Sequence, residues 1–221
     1  MSLPLLSLLD TRILGVLVEK QHTVPDTYPL TLNALVGGCN QKTSRDPVLE
    51  ASEAEVQAAL DRLKTLSLVV ETSGGRVMRY AHNVGRVLGV PTQAVALLAV
   101  IMLRGPQTVG ELRIHSERLH RFADISAVEG FLAELAAREE RPLVVELPRA
   151  PGARETRWAH LLSGPPAFTA DPATDATPPV ERVAVGELAA LRVTVTRLEE
   201  DVAALRAAVA RIAGELGLPP G

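Results

Sequence analysis

Amide and basic side chains surround one predicted helix, at residues 52–65, in an arrangement that suits the recognition of duplex DNA. Five of them precede the helix, two lie on its predicted outer face and two belong to the hairpin that follows. Amide and guanidinium groups can read base edges, and lysine and arginine can bind phosphate oxygens. The nine candidates for DNA contact are Asn40, Gln41, Lys42, Thr43, Arg45, Gln57, Lys64, Arg76 and Arg79.

Other roles for the same stretch stay open. Glu53 and Asp61 share the outer face of the helix and would meet phosphate groups with like charge. Lys42 and Arg45 can equally belong to a solvated loop. Hydrogen bonds that hold this loop in place are the alternative role for three amides, Asn33, Asn40 and Gln41.

A second basic group follows later in the chain and consists of Arg113, His115, Arg118, His120 and Arg121. It indicates either a polar face that covers the core or a surface for an anionic partner. His115 and His120 are five residues apart, which is not the spacing of a helical metal pair, and no cysteine is near. We therefore predict no metal site.

Enzyme chemistry finds little support in the chain. Cys39 is the single cysteine, and no Gly-rich phosphate loop or GxSxG motif occurs. Because an isolated cysteine commonly serves as a small buried hydrophobe, we predict no catalytic residues and no cofactor.

Residues 52–82 read as a helix followed by a hairpin. Ser52 and Glu55 have the spacing of a capping box, and apolar residues then recur at helical spacing up to Leu63. A short apolar run at 68–70, turn residues at 73–75 and a second strand at 77–80 complete the pattern. This order is typical of the last third of a winged helix-turn-helix domain.

The same unit recurs downstream. Val128, Leu132 and Leu135 repeat the spacing of the first helix at an offset of 72 (128 − 56), and later strand residues repeat at offsets of 75 and 78. The predicted fold class is therefore α+β, mostly α, with two tandem winged helix-turn-helix domains and a C-terminal coiled-coil helix. The predicted parts are 1–86, 87–162, a Pro/Ala-rich linker at 163–180 and the coiled coil at 181–217.

The C-terminal segment carries a heptad pattern with apolar residues at alternating spacings of three and four. Valine at position a and leucine at position d favour a parallel two-stranded coil, so we predict a homodimer. The alternative is an amphipathic helix that folds back on its own domain. The predicted dimerisation residues are Leu188, Leu191, Val195, Leu198, Val202, Leu205, Val209, Ile212 and Leu216.

Charge and composition limit the possible partners. Residues 1–90 and 91–165 each hold nine basic and nine acidic groups, so neither predicted domain has the positive excess common in DNA-binding proteins. The start of the chain lacks a signal-peptide pattern, and the apolar stretch at 87–103 is interrupted by Pro91. We expect a cytoplasmic protein in which this stretch is a buried helix and not a membrane span.

Several longer motifs resemble the bacterial YceH-like family. They are Glu19-Lys20-Gln21, residues 25–30 (PDTYPL), residues 32–35 (LNAL), residues 39–42 (CNQK), residues 45–48 (RDPV), residues 110–113 (GELR) and residues 116–120 (SERLH). The resemblance covers about residues 10–162 and implies two tandem winged-helix domains in a cytoplasmic protein. It assigns no catalytic residues, because most of the family is described as having unknown function. Val109 stands where the family commonly has proline.

Two hypotheses for function follow. In the first, the protein is a dimeric transcription regulator whose first domain contacts duplex DNA. In the second, the winged helices are protein-interaction modules or parts of a complex and do not touch DNA, which the near-neutral domains favour.

Overall fold

The computed structural model describes residues 3–72 and 77–166, all of which belong to one compact unit, Met1–Ala167. About half of these residues are helical, and the strands form two small antiparallel sheets. The α+β class is thereby confirmed. We refer to residues 3–86 as the first half and to residues 87–166 as the second half.

The first half contains three longer helices and a three-stranded sheet. Its elements are α1 (Leu8–Thr23), a 3₁₀ turn (Pro25–Thr27), β1 (Leu30–Thr31), α2 (Leu32–Cys39), α3 (Glu53–Thr65), β2 (Val69–Thr72) and β3 (Arg79–His82). The strands lie in the order β1-β3-β2, with Leu30 opposite Tyr80 and Val69 opposite His82. The hairpin was predicted, whereas the two-residue strand β1 was not.

Local capping determines where these helices begin. The Ser52 side chain accepts a hydrogen bond from the Glu55 amide, and the Glu55 carboxylate accepts one from the Ser52 amide, so the predicted capping box is confirmed. Thr31 caps α2, and its side chain accepts a hydrogen bond from the Ala34 amide. Ser7 caps α1, and Asp10 is its capping-box partner three residues later.

The second half repeats this order with a shorter sheet. The short helix α4 (Val84–Leu88) links the two halves. The elements of the second half are α5 (Thr92–Arg104), α6 (Val109–His115), α7 (Ile125–Ala136), β4 (Val144–Glu146) and β5 (Trp158–His160). A single bridge joins Gln107 to Trp158 on the far side of β5, at the place that β1 has in the first half. Thr108 and Glu111 form a capping box at the start of α6.

Helix α5 forms the centre of the core. All ten residues from Ala94 to Leu103 are buried, which confirms the predicted buried helix. Helix α1 packs directly on α5, and Gly15 allows the approach because a Cβ there would lie 2.8 Å from Cγ of Leu103. Among the helices described, none has both the length and the apolar character needed to cross a bilayer.

One hydrophobic cluster contains residues of both halves. Helix α4 spans the predicted domain boundary between residues 86 and 87, so the division into two separate domains stays a prediction. The linker and the nine heptad residues from Leu188 to Leu216 lie outside the described residues.

Candidate functional site

The loop between α2 and α3 holds five of the nine candidates for DNA contact, and Asn40 ties its two ends together. The Asn40 Nδ2 donates to the carbonyl of Ala51 at 2.8 Å, and the Ala51 amide donates back to Oδ1 at 2.7 Å. Gln41 donates to Oγ1 of Thr43 at 3.1 Å, and Lys42 and Thr43 are exposed. The loop-holding role is confirmed for Asn40.

Arg45 points into the protein. Its Nη2 lies 2.6 Å from Oε2 of Glu19, its Nε donates to the Gly38 carbonyl at 3.1 Å, and its side chain is 0% exposed. Burial raises the pKa of Glu19, but the hydrogen bonds and positive charge of Arg45 outweigh burial and lower that pKa overall. A phosphate could reach this guanidinium only if the loop opened, so Arg45 has a structural role in the fold described here.

Two further arginines hold the same loop, and neither was predicted to have a role. Arg12 is fully buried and donates to the carbonyls of Cys39 at 3.1 Å and Pro47 at 2.6 Å. Arg104 of α5 donates to Oγ of Ser44 at 2.7 Å. An available signal was the position of Arg12 inside the apolar run of α1, where a charged side chain needs buried partners.

The outer face of α3 and the hairpin are also bound up in internal contacts. Gln57 donates to Asp61 at 3.1 Å, and Nζ of Lys64 lies 2.7 Å from Oε2 of Glu71 and 2.9 Å from Oδ1 of Asp61. Arg79 donates to the carbonyls of Thr27 at 3.1 Å and Pro29 at 2.8 Å. Arg76 lies outside the described residues. Lys42 is therefore the one described cation among the candidates for which neither a hydrogen bond nor an ion pair is found in the described part of the chain.

The second half presents its arginines differently. Arg113 is exposed in the last turn of α6, Arg118 and Arg121 are exposed between α6 and α7, and Arg149 and Arg154 are exposed in the loop between β4 and β5. Within residues 3–72 and 77–166, no carboxylate lies within 4.0 Å of any of these five guanidinium groups. The sequence had singled out the first three, but not the last two.

Internal contacts give the α6–α7 turn its shape. Ser116 is buried, its Oγ donates to the Arg113 carbonyl at 3.2 Å, and its own carbonyl accepts from the His120 amide at 2.8 Å. Phe122 is 5% exposed and packs edge-on against Phe131 of α7, with ring centroids 5.8 Å apart. The buried aromatic ring anchors this turn, and Nη2 of Arg113 adds a hydrogen bond to the Ala123 carbonyl at 3.4 Å.

Acidic side chains lie between the two arginine groups. Glu129 and Glu134 are exposed on α7, and Glu139 and Glu140 follow its end. Carboxylates on this helix would repel the phosphates on either side of a DNA groove. The positive groups of the second half are thus limited to the segments before and after α7.

Cys39 and His115 were also considered as reactive groups, and both have internal environments. Burial raises the pKa of the Cys39 thiol to about 12, so it stays protonated at neutral pH. The ring of His115 pairs with Oε1 of Gln107 at 2.8 Å, and burial lowers its pKa. In the described part of the chain, no three His, Cys, Asp or Glu side chains are grouped so that they could hold a metal ion.

Comparison with known proteins places the chain in a bacterial context. The model of the family described as "Protein of unknown function, DUF480" matches residues 6–153. A UPF0502 protein of Dechloromonas aromatica is 63% identical over 206 residues, which cover 93% of this chain and 95% of that protein. A UPF0502 protein of Methylibium petroleiphilum is 62% identical over 202 residues, covering 91% and 85%. One of Burkholderia orbicola is 60% identical over 210 residues, covering 95% and 89%. The predicted resemblance to an uncharacterised bacterial family is confirmed.

Proposed function

We propose that this chain, which belongs to the DUF480 family of proteins of unknown function, is a tandem winged-helix protein that binds duplex DNA through its second half. The order of elements supports the winged-helix assignment. In each half, three helices precede a hairpin, and the last strand of that hairpin pairs with a segment between the first two helices.

The observation that carries the proposal is the distribution of exposed arginines that have no carboxylate partner in the described residues. One lies in the last turn of α6, two lie between α6 and α7, and two lie in the loop between β4 and β5. In helix-turn-helix proteins, the residues that flank the recognition helix contact the DNA backbone. Five guanidinium groups without a carboxylate partner in the described residues are exposed and could take that role, and one of them, Arg113, also donates to the Ala123 carbonyl at 3.4 Å. In the first half, Arg45 and Lys64 are held in ion pairs, and Arg79 donates to two backbone carbonyls.

The same geometry implies little sequence selectivity. Bases are read by side chains that enter the groove, and α7 presents Glu129 and Glu134 on its exposed surface. Phosphate contacts fix position on a duplex but carry no sequence information. We therefore propose binding to the backbone, while sequence-selective transcription regulation by the first half stays a prediction.

The test is the salt dependence of DNA binding by the full chain, measured by fluorescence anisotropy on two 20-bp duplexes of unrelated sequence. Five phosphate contacts give a slope of log K against log salt of about −4.5. The double variant Arg118→Glu/Arg121→Glu should reduce the magnitude of that slope by about 2 and weaken binding about tenfold or more. Both duplexes should bind with similar affinity.

Lys42→Glu is the matched control, because Lys42 is an exposed cation in the corresponding turn of the first half. It should change affinity less than about twofold, since the proposal gives this turn no phosphate contact. Absence of salt-dependent binding would reject the proposal. If Lys42→Glu lowered the DNA affinity as much as the double variant does, the interface would lie in the first half instead.

We also propose that two chains pair through the heptad residues 188–216, as their sequence pattern predicts. A dimer would carry two sets of the five exposed arginines. Sedimentation equilibrium decides this question, because a monomer whose mass is independent of concentration would rule out the pairing.

A further inference from the structure

A groove runs along the outer edge of the first-half sheet, between β2 and α4. It has a volume of about 660 Å³ and is open to solvent. Its lining combines strand, helix and turn residues, among them Lys64, Val69, Val70, Glu71, Arg86 and Val87. None of these residues is among the five exposed arginines of the second half that are proposed to bind DNA.

The strand that borders the groove has an unpaired side. Strand β2 lies at the edge of the sheet order β1-β3-β2, and Asn83 donates to the Leu68 carbonyl at 2.8 Å. In an antiparallel strand, the N–H and C=O groups of successive residues point to alternate sides of the strand. The Leu68 carbonyl faces β3, so the backbone groups of Val70 and Thr72 face β3 as well. The N–H and C=O groups of Val69 and Glu71 therefore point into the groove.

Those four backbone groups have no hydrogen-bond partner within the described residues. An exposed edge of this kind is a template for a further strand, and proteins usually protect such edges with charges, proline or a covering element. Here the covering helix α4 leaves the groove open between itself and the strand. The space can hold an extended peptide.

The side chains around the groove favour an acidic peptide with apolar residues. Val70 is 45% exposed beside the strand edge, and Val87 is half-buried on the opposite wall. Lys64 already binds Glu71 and Asp61, and these two carboxylates raise its pKa. Arg86 is exposed and has no carboxylate within 4.0 Å in the described residues, so it is the cation that remains for a ligand.

We propose that the β2 edge binds an extended segment of a partner protein as an added strand, and that an aspartate or glutamate of this segment pairs with Arg86. Backbone hydrogen bonds to Val69 and Glu71 supply the binding, and the alternating side chains supply the preference. This interaction goes beyond DNA binding by the second half and does not depend on it.

The probe is a synthetic seven-residue peptide of alternating valine and aspartate, blocked at both ends, added to the ¹⁵N-labelled full chain. At a peptide concentration ten times the Kd, amide hydrogen exchange at Val69 and Glu71 should slow about tenfold. A peptide with lysine in place of aspartate should bind more weakly. Arg86→Glu should weaken the aspartate peptide at least about threefold and strengthen the lysine peptide.

A pair of variants at one position tests the backbone contact. Glu71→Pro removes an N–H that points away from β3, so it leaves the hairpin hydrogen bonds intact and should abolish peptide binding. Glu71→Thr loses the same carboxylate but keeps the N–H, and it should retain binding. The amide spectra of the free variants show whether each has folded, and Arg86→Glu tests the proposal independently if Glu71→Pro has not.

Three results would overturn the proposal. The first is that neither peptide binds at millimolar concentration. The second is binding that leaves amide exchange at Val69 and Glu71 unchanged, because the peptide then docks elsewhere. The third is protection of both amides without peptide that increases with protein concentration, because a second copy of the chain then occupies the edge.

Discussion

The loop between α2 and α3 and the turn between α6 and α7 hold equivalent places in the two halves, yet they treat their arginines in opposite ways. In the first half, Arg45 is buried against Glu19 and the loop closes around it. In the second half, Phe122 is the buried anchor, while Arg118 and Arg121 remain exposed. The residue that fills the interior therefore decides whether nearby cations can meet a ligand.

The difference also shows that two halves with equal charge totals can pair their cations differently. Each of the stretches 1–90 and 91–165 holds nine basic and nine acidic groups. In the described part of the first half, four basic groups form ion pairs with Glu19, Asp10, Asp61 and Glu71; they are Lys20, Arg45, Arg62 and Lys64. Net charge is thus a poor guide to an interface when the pairing differs.

Of the changes that test this comparison, removal of the buried arginine should have the largest effect on stability. Arg45→Ala leaves Glu19 without its buried partner and should lower the free energy of unfolding by about 3–5 kcal/mol. Arg118→Ala, at the exposed turn, should change it by less than about 0.5 kcal/mol. Urea denaturation of both variants measures the contrast, and equal losses would contradict the structural role of Arg45.

Acidification tests a feature that the two halves share. His82 and His160 end β3 and β5, and burial lowers the pKa of each from 6.5 to about 4. The unfolded chain therefore binds these protons first, so stability is complete above pH 6.5 and falls as the pH drops towards 4. Between pH 7.5 and 4.5 each histidine should cost about 2–3 kcal/mol.

Urea midpoints at the two pH values, for the wild type and for His82→Gln and His160→Gln, give the contribution of each histidine. Each variant should show a smaller loss on acidification than the wild type. A pH dependence unchanged in both variants would mean that other groups cause it.

The space around one glycine in each half shows how closely α2 and α7 are packed at that position. A Cβ on Gly38 of α2 would lie 2.6 Å from Cγ1 of Val16, so Gly38→Ala should destabilise the protein by about 1–3 kcal/mol. Gly130 of α7 has no atom within 4 Å of its Cβ position, so Gly130→Ala should stabilise it by about 0.5–1 kcal/mol. Thermal unfolding measures both changes, and destabilisation by Gly130→Ala would indicate that α7 has a neighbour on that face.

The smallest expected effect is the loss of a helix cap. Ser52 caps α3 and Asp124 caps α7, each by accepting an amide hydrogen bond, at 3.3 Å and 2.8 Å respectively. Replacement of either residue by alanine should cost about 1 kcal/mol, and Ser52→Thr should restore most of the loss at that position. A much larger loss at one cap, measured by urea denaturation, would show that the two third helices are not equivalent.

Helix and hairpin positions could be predicted well because their signals are local. The capping boxes at Ser52 and Thr108 involve residues three positions apart, and the buried face of α3 follows from apolar spacing. Strand β1 and helix α4 were missed, since two and five residues are too short to show a period. The arginines of the β4–β5 loop were missed because nothing in their neighbourhood shows that they stay unpaired.

By itself, the sequence determined the repeated order of helices and hairpins and the membership in an uncharacterised bacterial family. Only the tertiary structure decided which cations are available. Arg45 contacts Glu19, which is 26 positions away in the sequence, and Arg12 contacts Pro47, which is 35 positions away. Burial of a guanidinium is costly unless such distant partners meet it, and whether they do depends on how α1, α5 and the α2–α3 loop pack together.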